Sequence, residues 1–256
     1  MDLQLMGKRA LVTGSTSGLG EEIARTLAAE GVAVVVHGRD RARADAVAKE
    51  IGGTVALGDL TTDEGADAVR EAAGEVDILV NNLGVFDPTL TWENVTADDW
   101  KDIYDVNVVT SVRMIKRFVP GMKERGWGRV IQISSVLGAQ PTETQPHYSA
   151  TNAARDNLAA ALSRELKDSG VTSNAVAAGG ILTPSSKVRL LEMGRQAGWG
   201  ETWEEMAETA QRRLTTMVDV GRIGLPEEYA DLVTFLASPR SGYVTGTTLR
   251  VDGGWH

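Results

Sequence analysis

The sequence predicts a single α/β domain built around a parallel sheet with helices on both faces. Short apolar runs of strand character alternate with longer amphipathic segments along the whole chain. That alternation is typical of parallel sheets whose crossover helices cover both faces. The length of 256 residues suits one such domain, and no internal repeat, low-complexity tract or linker divides the chain.

Composition narrows the classes of function. The net charge is −9, from 26 basic and 35 acidic residues, which argues against nucleic acid or an anionic membrane as a partner. Cysteine is absent and the three histidines are scattered, so we expect neither disulfides nor a metal site. No apolar run has membrane-spanning length and no signal-peptide core is present, so a cytoplasmic protein is expected.

The first predicted strand, Arg9 to Val12, runs into a glycine-rich turn and then a helix from Glu21 to Glu30. The turn has the spacing Gly-x3-Gly-x-Gly rather than Gly-x-Gly-x-x-Gly. Glycines there allow a tight bend and bring backbone N–H groups close to a phosphate, and the helix N-terminus adds positive charge. The alternative is a plain turn, but this position favours a nucleotide site. The residues assigned to it are Gly14, Ser15, Thr16, Ser17, Gly18, Leu19 and Gly20.

The second predicted strand, Val32 to Val36, ends at His37-Gly38-Arg39. In dinucleotide-binding folds an acid near this point binds the ribose 2′-hydroxyl, whereas an arginine accommodates a 2′-phosphate. Arg39 therefore favours NADP(H), with NAD(H) left open. The alternative is that Arg39 only opens a solvated, highly charged helix.

Two further strands, Thr54 to Leu57 and Val76 to Val80, are each followed by polar residues. Asp59 after the first could hydrogen-bond an adenine amine or cap a helix that starts near Thr62. Asn81 and Asn82 after the second would face the crevice where open α/β sheets bind ligands, or would satisfy loop backbone groups.

The second half of the chain adds a helical region over 97–125, a strand from Arg129 to Ile133 and a strand from Val171 to Ala177. Asn107 lies among apolar residues in the helical region, where it is structural or binds an ordered water. The helix opened by Tyr148 is rich in alanine, which would allow close packing against a helix of a second subunit.

Residues 184–220 differ in composition from the rest of the chain, with methionines, tryptophans and glycines interspersed. We interpret this segment as a mobile lid with an apolar inner face. The alternative is an ordinary pair of amphipathic helices. The last predicted helix begins at Pro226, and the last strand spans Thr248 to Val251.

The chain carries, in order, Thr13 to Gly20, Asp59, Asn81-Asn82-x-Gly84, Asn107, Ser135, Tyr148 and Val251-Asp252-Gly253-Gly254. Together these motifs resemble the short-chain dehydrogenase/reductase family, and its 3-oxoacyl-ACP-reductase-like members, over essentially the whole chain. The resemblance implies a Rossmann-type doubly wound sheet of about seven strands and hydride transfer between a nicotinamide cofactor and a carbonyl or alcohol. It also implies a homotetramer or homodimer.

The resemblance also implies roles. Tyr148 would be the general acid/base, Ser135 would hydrogen-bond the substrate oxygen, and Asn107 would hold a water in a proton relay. Glycines 14 to 20 would cradle the cofactor phosphates. The other cofactor-binding positions would be Asp59 and Leu60 at the adenine, Asn82 near the nicotinamide ribose, Gly84, Tyr148, Asn152, and Ile181 and Thr183 at the carboxamide.

Three positions depart from the family pattern. The family has lysine four residues after its tyrosine, where this chain has Asn152. Leu83 and Ala178 replace an alanine and a proline, which are changes of shape. Asparagine can hydrogen-bond a ribose but supplies no positive charge to favour an ionised tyrosine. We therefore expect a loss in oxidation, where the tyrosine acts as a base, and a smaller loss in reduction.

Three explanations of Asn152 stay open: an engineered substitution, a weak or one-directional reductase helped by His147 or Arg155, or a protein that binds cofactor without catalysis. The prediction is an NADP(H)-dependent oxidoreductase that reduces a 3-oxoacyl or similar apolar ketone, with activity impaired by Asn152. The alternative is an NADP(H)-binding pseudoenzyme or sensor.

Overall fold

Seven parallel strands form one sheet in the computed structural model, which describes residues 2–256 apart from the side chain of Leu214. The strand order is β3-β2-β1-β4-β5-β6-β7, so the chain reverses direction across the sheet between β1 and β4. The predicted Rossmann-type fold class is confirmed. The strands are β1 (Arg9–Val12), β2 (Ala33–Gly38), β3 (Thr54–Leu57), β4 (Ile78–Asn81), β5 (Gly128–Ser135), β6 (Val171–Ala178) and β7 (Thr248–Val251).

Helices cover both faces of this sheet. They are α1 (Gly18–Ala29), α2 (Arg41–Ile51), α3 (Asp63–Ala73), α4 (Ala97–Tyr104), α5 (Thr110–Glu124), α6 (Pro146–Glu165), α7 (Pro184–Gln196), α8 (Trp203–Leu214) and α9 (Pro226–Ala237). Several begin at side-chain caps; Thr62, for example, accepts from the Gly65 N–H at 3.0 Å. Within the described residues no helix is long and apolar enough to cross a bilayer, and no three His, Asp or Glu side chains are grouped to hold a metal ion.

The core lies in two layers because successive residues of each strand point to opposite faces. Val12 of β1 packs with α1 and α9 on one face. Leu11 packs with α3 and α5 on the other, where Phe118 is fully buried. Each such side chain contributes about 1.5–3 kcal/mol by burial, and together they fix the sheet whose carboxyl edge carries the site.

Several element boundaries differ from the sequence-based expectation by one to three residues, such as β2 (Ala33–Gly38 instead of Val32–Val36) and the start of α6 (Pro146 instead of Tyr148). Two differences bear on the site. Helix α1 begins at Gly18 instead of Glu21, so two of the three glycines belong to its first turn. The expected helix over 97–125 is interrupted by a π-helical turn at Asp105–Val109. Local sequence carries little signal for either feature, because both depend on contacts with distant segments.

Candidate active site

The predicted site residues meet at the carboxyl edge of the sheet. The glycine-rich turn follows β1, Asn82 and Gly84 follow β4, and Ser135 ends β5. Two further predicted residues, Ile181 and Thr183, follow β6. In open parallel sheets this edge, at the reversal between β1 and β4, is where ligands bind.

The glycine turn is packed too closely for a side chain at Gly20, and its backbone conformation favours glycine at Gly14 and Gly18. A Cβ on Gly20 would lie 2.3 Å from Asn82 Nδ2 and 2.4 Å from the carbonyl oxygen of Gly14, while Gly14 and Gly18 have φ values of +65° and +59°. Ser17 begins α1 without a side-chain cap, so the first N–H groups of α1 can serve an anion. The arrangement fits a dinucleotide pyrophosphate.

The turn is braced from β4. Asn82 Nδ2 donates to the carbonyl oxygens of Thr13 (2.9 Å) and Gly14 (3.2 Å). In return, Thr13 Oγ1 accepts from the backbone N–H groups of Asn82 and Leu83, each at 3.0 Å. Leu83 packs against the core and lies beside Gly14, where a Cβ would be 3.3 Å from its Cδ1. The turns after β1 and β4 are therefore one hydrogen-bonded unit.

His37, at the end of β2, holds the same turn from the other side, a role that the sequence did not reveal. The Gly14 N–H donates to His37 Nδ1 at 3.0 Å, and His37 Nε2 lies 3.2 Å from the Gly58 carbonyl oxygen. Both contacts are satisfied by the neutral tautomer with its proton on Nε2. Burial lowers the pKa of His37 to about 4, so the ring is neutral at neutral pH. The available signal was a histidine closing an otherwise apolar strand.

Arg39 and Asp59 lie at the outer end of this edge. The Arg39 side chain is 78% exposed, and its Nη1 is 3.8 Å from Asp59 Oδ2. Hydrogen bonds from the N–H and hydroxyl of Thr61 hold the pKa of Asp59 below its usual value. Thr62, and not Asp59, caps α3. Leu60 is buried, with only 1% exposed, so its side chain belongs to the core.

Tyr148 lies in the first turn of α6 and is half-buried, with its ring centroid 5.8 Å from that of Phe86. Ser135 ends β5, which packs against α6, and its Oγ accepts from the Leu137 N–H at 3.3 Å. The neighbouring Ser134 Oγ donates to Asp156 Oδ1 at 2.5 Å, which ties the end of β5 to α6.

Asn107 is buried in the π turn, and its side chain is fully engaged. Its Oδ1 accepts from the Val85 N–H at 2.8 Å, and its Nδ2 donates to the Val85 carbonyl at 2.9 Å and to Thr151 Oγ1 at 3.2 Å. Thr151 Oγ1 in turn donates to the Tyr148 carbonyl at 2.8 Å. The loop after β4 is thereby linked to the helix that carries Tyr148.

Asn152 and Arg155 follow Tyr148 on α6, and both are buried. Asn152 Nδ2 donates to the Tyr148 carbonyl at 2.8 Å. Arg155 donates to the carbonyl oxygens of Leu83, Asn107 and Ile133. Burial lowers the pKa of Arg155 to about 10, so it stays protonated at neutral pH.

Thr183 connects the glycine turn to the segment predicted as a lid. Its Oγ1 accepts from the Ser186 N–H at 3.1 Å and caps α7, and its Cγ2 would lie 3.8 Å from a Cβ on Gly18. The Ser186 hydroxyl also donates to the Ile181 carbonyl at 2.7 Å. Arg189 of α7 lies over the Phe86 ring, 4.9 Å from its centroid.

Comparison with known proteins places the chain in a family. The short chain dehydrogenase family model matches residues 8–192, so the protein belongs to the short-chain dehydrogenase/reductase family of oxidoreductases. The uncharacterized oxidoreductase YvaG of Bacillus subtilis is 37% identical, covering 99% of this chain and 98% of the relative. The 3-oxoacyl-[acyl-carrier-protein] reductase FabG of Escherichia coli is 34% identical, covering 98% of both chains.

A solved structure is similar over its full length. L-Sorbose reductase from Gluconobacter frateurii, complexed with NADPH and L-sorbose, superposes with a TM-score of 0.90 at 32% identity. The match covers 100% of this chain and 98% of that one. The fold and the family therefore agree between the sequence and structure comparisons.

Proposed function

We propose that the protein is an NADP(H)-dependent oxidoreductase that reduces a ketone, a 3-oxoacyl compound or a similar apolar carbonyl, to an alcohol. The observation that carries this proposal is the pairing of β5, ending in Ser135, with α6, which bears Tyr148, at the edge that holds the glycine turn. The similarity to FabG and to a sorbose reductase complexed with NADPH supports it. The half-exposed Phe86 beside Tyr148 supplies an apolar wall for the substrate.

In this proposal Ser135 donates a hydrogen bond to the ketone oxygen, and Tyr148 delivers its phenolic proton to that oxygen as negative charge develops there. The reduced nicotinamide cofactor, when bound, supplies the hydride. The Asn107 carbonyl, which already accepts from Arg155, has a second lone pair for the water that returns a proton to Tyr148.

The cofactor is held by residues that follow five strands and by residues of α6. The glycine turn takes the pyrophosphate, and Arg39 takes the adenosine 2′-phosphate that distinguishes NADP(H) from NAD(H). The remaining contacts come from Asp59 and the Leu60 backbone at the adenine, from Asn82 and Gly84 at the ribose, from Tyr148 and Asn152 on α6, and from Ile181 and Thr183 at the carboxamide. Helices α7 and α8 form the lid of the substrate site.

The second candidate function is an NADP(H)-binding pseudoenzyme or sensor. It is favoured by Asn152, which stands where the family pattern has lysine and whose amide donates to its own helix at Tyr148. An uncharged residue at position 152 weakens alcohol oxidation more than ketone reduction, because reduction uses the protonated phenol of Tyr148.

NADPH consumption with a panel of ketones, measured for the parent protein and for Asn152→Lys, decides between the two functions. Turnover in either protein supports the reductase. Micromolar NADPH binding, seen by quenching of the six tryptophans, without turnover in either protein assigns the pseudoenzyme. Absence of nucleotide binding eliminates both.

A further inference from the structure

Arg155 is a buried cation on α6, and the proton transfer described above does not use it. It is 4% exposed, and within residues 2–256 it forms no salt bridge. The adjacent acid, Asp156, is hydrogen-bonded to Ser134. A buried charge without a close counter-ion is costly to keep, and such groups cluster at functional sites.

The three carbonyls that Arg155 binds come from separate segments of the site. The Leu83 carbonyl belongs to the turn after β4, that of Asn107 to the π turn, and that of Ile133 to β5, two residues before Ser135. A Cβ on Gly84 would be 3.4 Å from both Nη atoms. The guanidinium therefore lies directly beneath the turn proposed to face the nicotinamide ribose.

Arg155 is also aligned with Tyr148. Residues 148, 152 and 155 fall at i, i+4 and i+7 on one face of α6, and helical side chains tilt towards the helix N-terminus. Arg155 therefore leans back towards Tyr148. Against the larger effect of burial, Tyr148 raises the pKa of Arg155, as does Asp156. The two side chains are therefore close enough to interact through their charges.

Two other titratable groups flank Tyr148. His147 packs against α4, and burial lowers its pKa, so it is neutral at neutral pH. Arg189 lies over Phe86 from α7, but its side chain is exposed and water screens it. The turn after β4, the π turn and β5 present neutral carbonyls to Arg155. The acid that acts on its charge is Asp156, the next residue of α6, which is hydrogen-bonded to Ser134.

Building on the function proposed above, we propose that Arg155 is the cation of this catalytic centre. It acts as a positioning residue that favours the ionised phenol of Tyr148 and fixes the turn at Leu83. With that charge in place, residue 152 can be a neutral asparagine.

The test is titration of the cofactor-free protein by the ultraviolet absorbance of tyrosinate, using the component that Tyr148→Phe removes. Relative to the parent, Arg155→Gln is expected to move the midpoint of this component up by about one pH unit or more, since a nearby charge typically gives roughly 1–3 units. Arg155→Lys keeps the charge and is expected to keep the midpoint. Arg164→Gln, at an exposed arginine of the same helix, is the matched control.

An unchanged midpoint in folded Arg155→Gln overturns the proposal. It would show that Arg155 only holds its three carbonyl partners together. If Arg155→Gln does not fold, the double variant Asn152→Lys/Arg155→Gln replaces it. A folded double variant with the parent midpoint supports the proposal, because a cation one turn away has restored the charge. A raised midpoint, or failure of the double variant to fold, overturns it.

Turnover gives a second readout that separates this inference from the proposed function. Arg155→Gln is expected to lose alcohol oxidation about ten-fold more than ketone reduction, matching one pH unit. Equal losses in both directions count against Arg155 while leaving the reductase function intact. The titration needs no substrate, so it remains decisive even if no ketone is turned over.

Discussion

Arg39 is an exposed arginine at the end of β2, and the proposed preference for NADP(H) depends on it. We expect Arg39→Ala to weaken NADPH binding about 10–100-fold, because hydrogen bonds from a charged donor contribute roughly 1.5–3 kcal/mol. NADH binding should change little. Tryptophan quenching with each nucleotide measures both effects.

The matched control is Arg41→Ala, since Arg41 is also exposed but lies 4.0 Å from Asp45 on its own helix. Equal weakening of NADPH and NADH binding by Arg39→Ala, or the same effect from Arg41→Ala, would show that Arg39 does not read the 2′-phosphate.

His37 makes stability depend on pH. Its pKa is about 4 in the folded state against 6.5 for an ordinary histidine. Between these two pKa values the unfolded chain binds a proton at His37 and the folded chain does not. The free energy of unfolding therefore falls as the pH drops from about 6.5 to about 4, by up to about 3 kcal/mol. His37→Gln removes the titrating group, so its free energy of unfolding should vary less between these pH values.

Urea unfolding at neutral and mildly acidic pH measures this difference. His256→Gln changes an exposed histidine at the C-terminus and serves as the control. If the free energy of unfolding falls equally in the parent and in His37→Gln as the pH is lowered, the role assigned to the buried ring is contradicted.

Among the elements, the π turn connects the loop after β4 to α6 through Asn107. Asn107→Leu keeps the size of the side chain but leaves both backbone groups of Val85 without their partner. It also removes one of the two hydrogen bonds of the Thr151 hydroxyl, which still donates to the Tyr148 carbonyl. The expected loss of stability is about 1–3 kcal/mol, as for unsatisfied polar groups elsewhere. Urea unfolding measures the loss, and faster amide exchange at Val85 locates it.

Asn94→Leu is the comparison, because Asn94 also bonds backbone groups of its loop, at Thr91 N and Thr89 O, but is exposed. Water can replace its hydrogen bonds, so a smaller loss is expected. Equal losses at the two positions would mean that burial of the π turn contributes nothing.

The elements themselves were largely predictable from the sequence. Strands β1, β3 and β7 have the predicted bounds, because short apolar runs between turn residues leave little choice. The glycine turn was predictable as well, because its glycines stand between an apolar strand run and a helix. For Asn82 the sequence offered the bonding of loop backbone groups only as one of two alternatives, and for His37 it offered no role. Each depends on a backbone partner far away in sequence, such as Thr13, 69 residues from Asn82. Pairing across a sheet decides such contacts, and local pattern does not encode it.

At the scale of the whole molecule, α6 has a surface suited to self-association. Ala153, Asn157 and Ala161 are exposed at intervals of four residues, so small side chains line one face and permit close approach of a second helix. We expect a homotetramer or homodimer packed through this face. Ala161→Glu adds bulk and charge there and should reduce the mass measured by light scattering after size-exclusion chromatography.

Ala46→Glu, at an exposed alanine of α2, should leave the assembly unchanged. A monomeric parent, or an Ala161→Glu variant with the parent mass, would contradict packing through α6.

The mutual brace between Thr13 and Asn82 has a consequence for anyone who recombines this scaffold. Because each turn supplies donors or acceptors to the other, a chimera that imports residues 81–84 from a homologue inherits only half of an interlocking pair. Grafts should carry both turns together. A single transplanted turn would be expected to loosen the first loop of the protein even though none of that loop's residues had been altered.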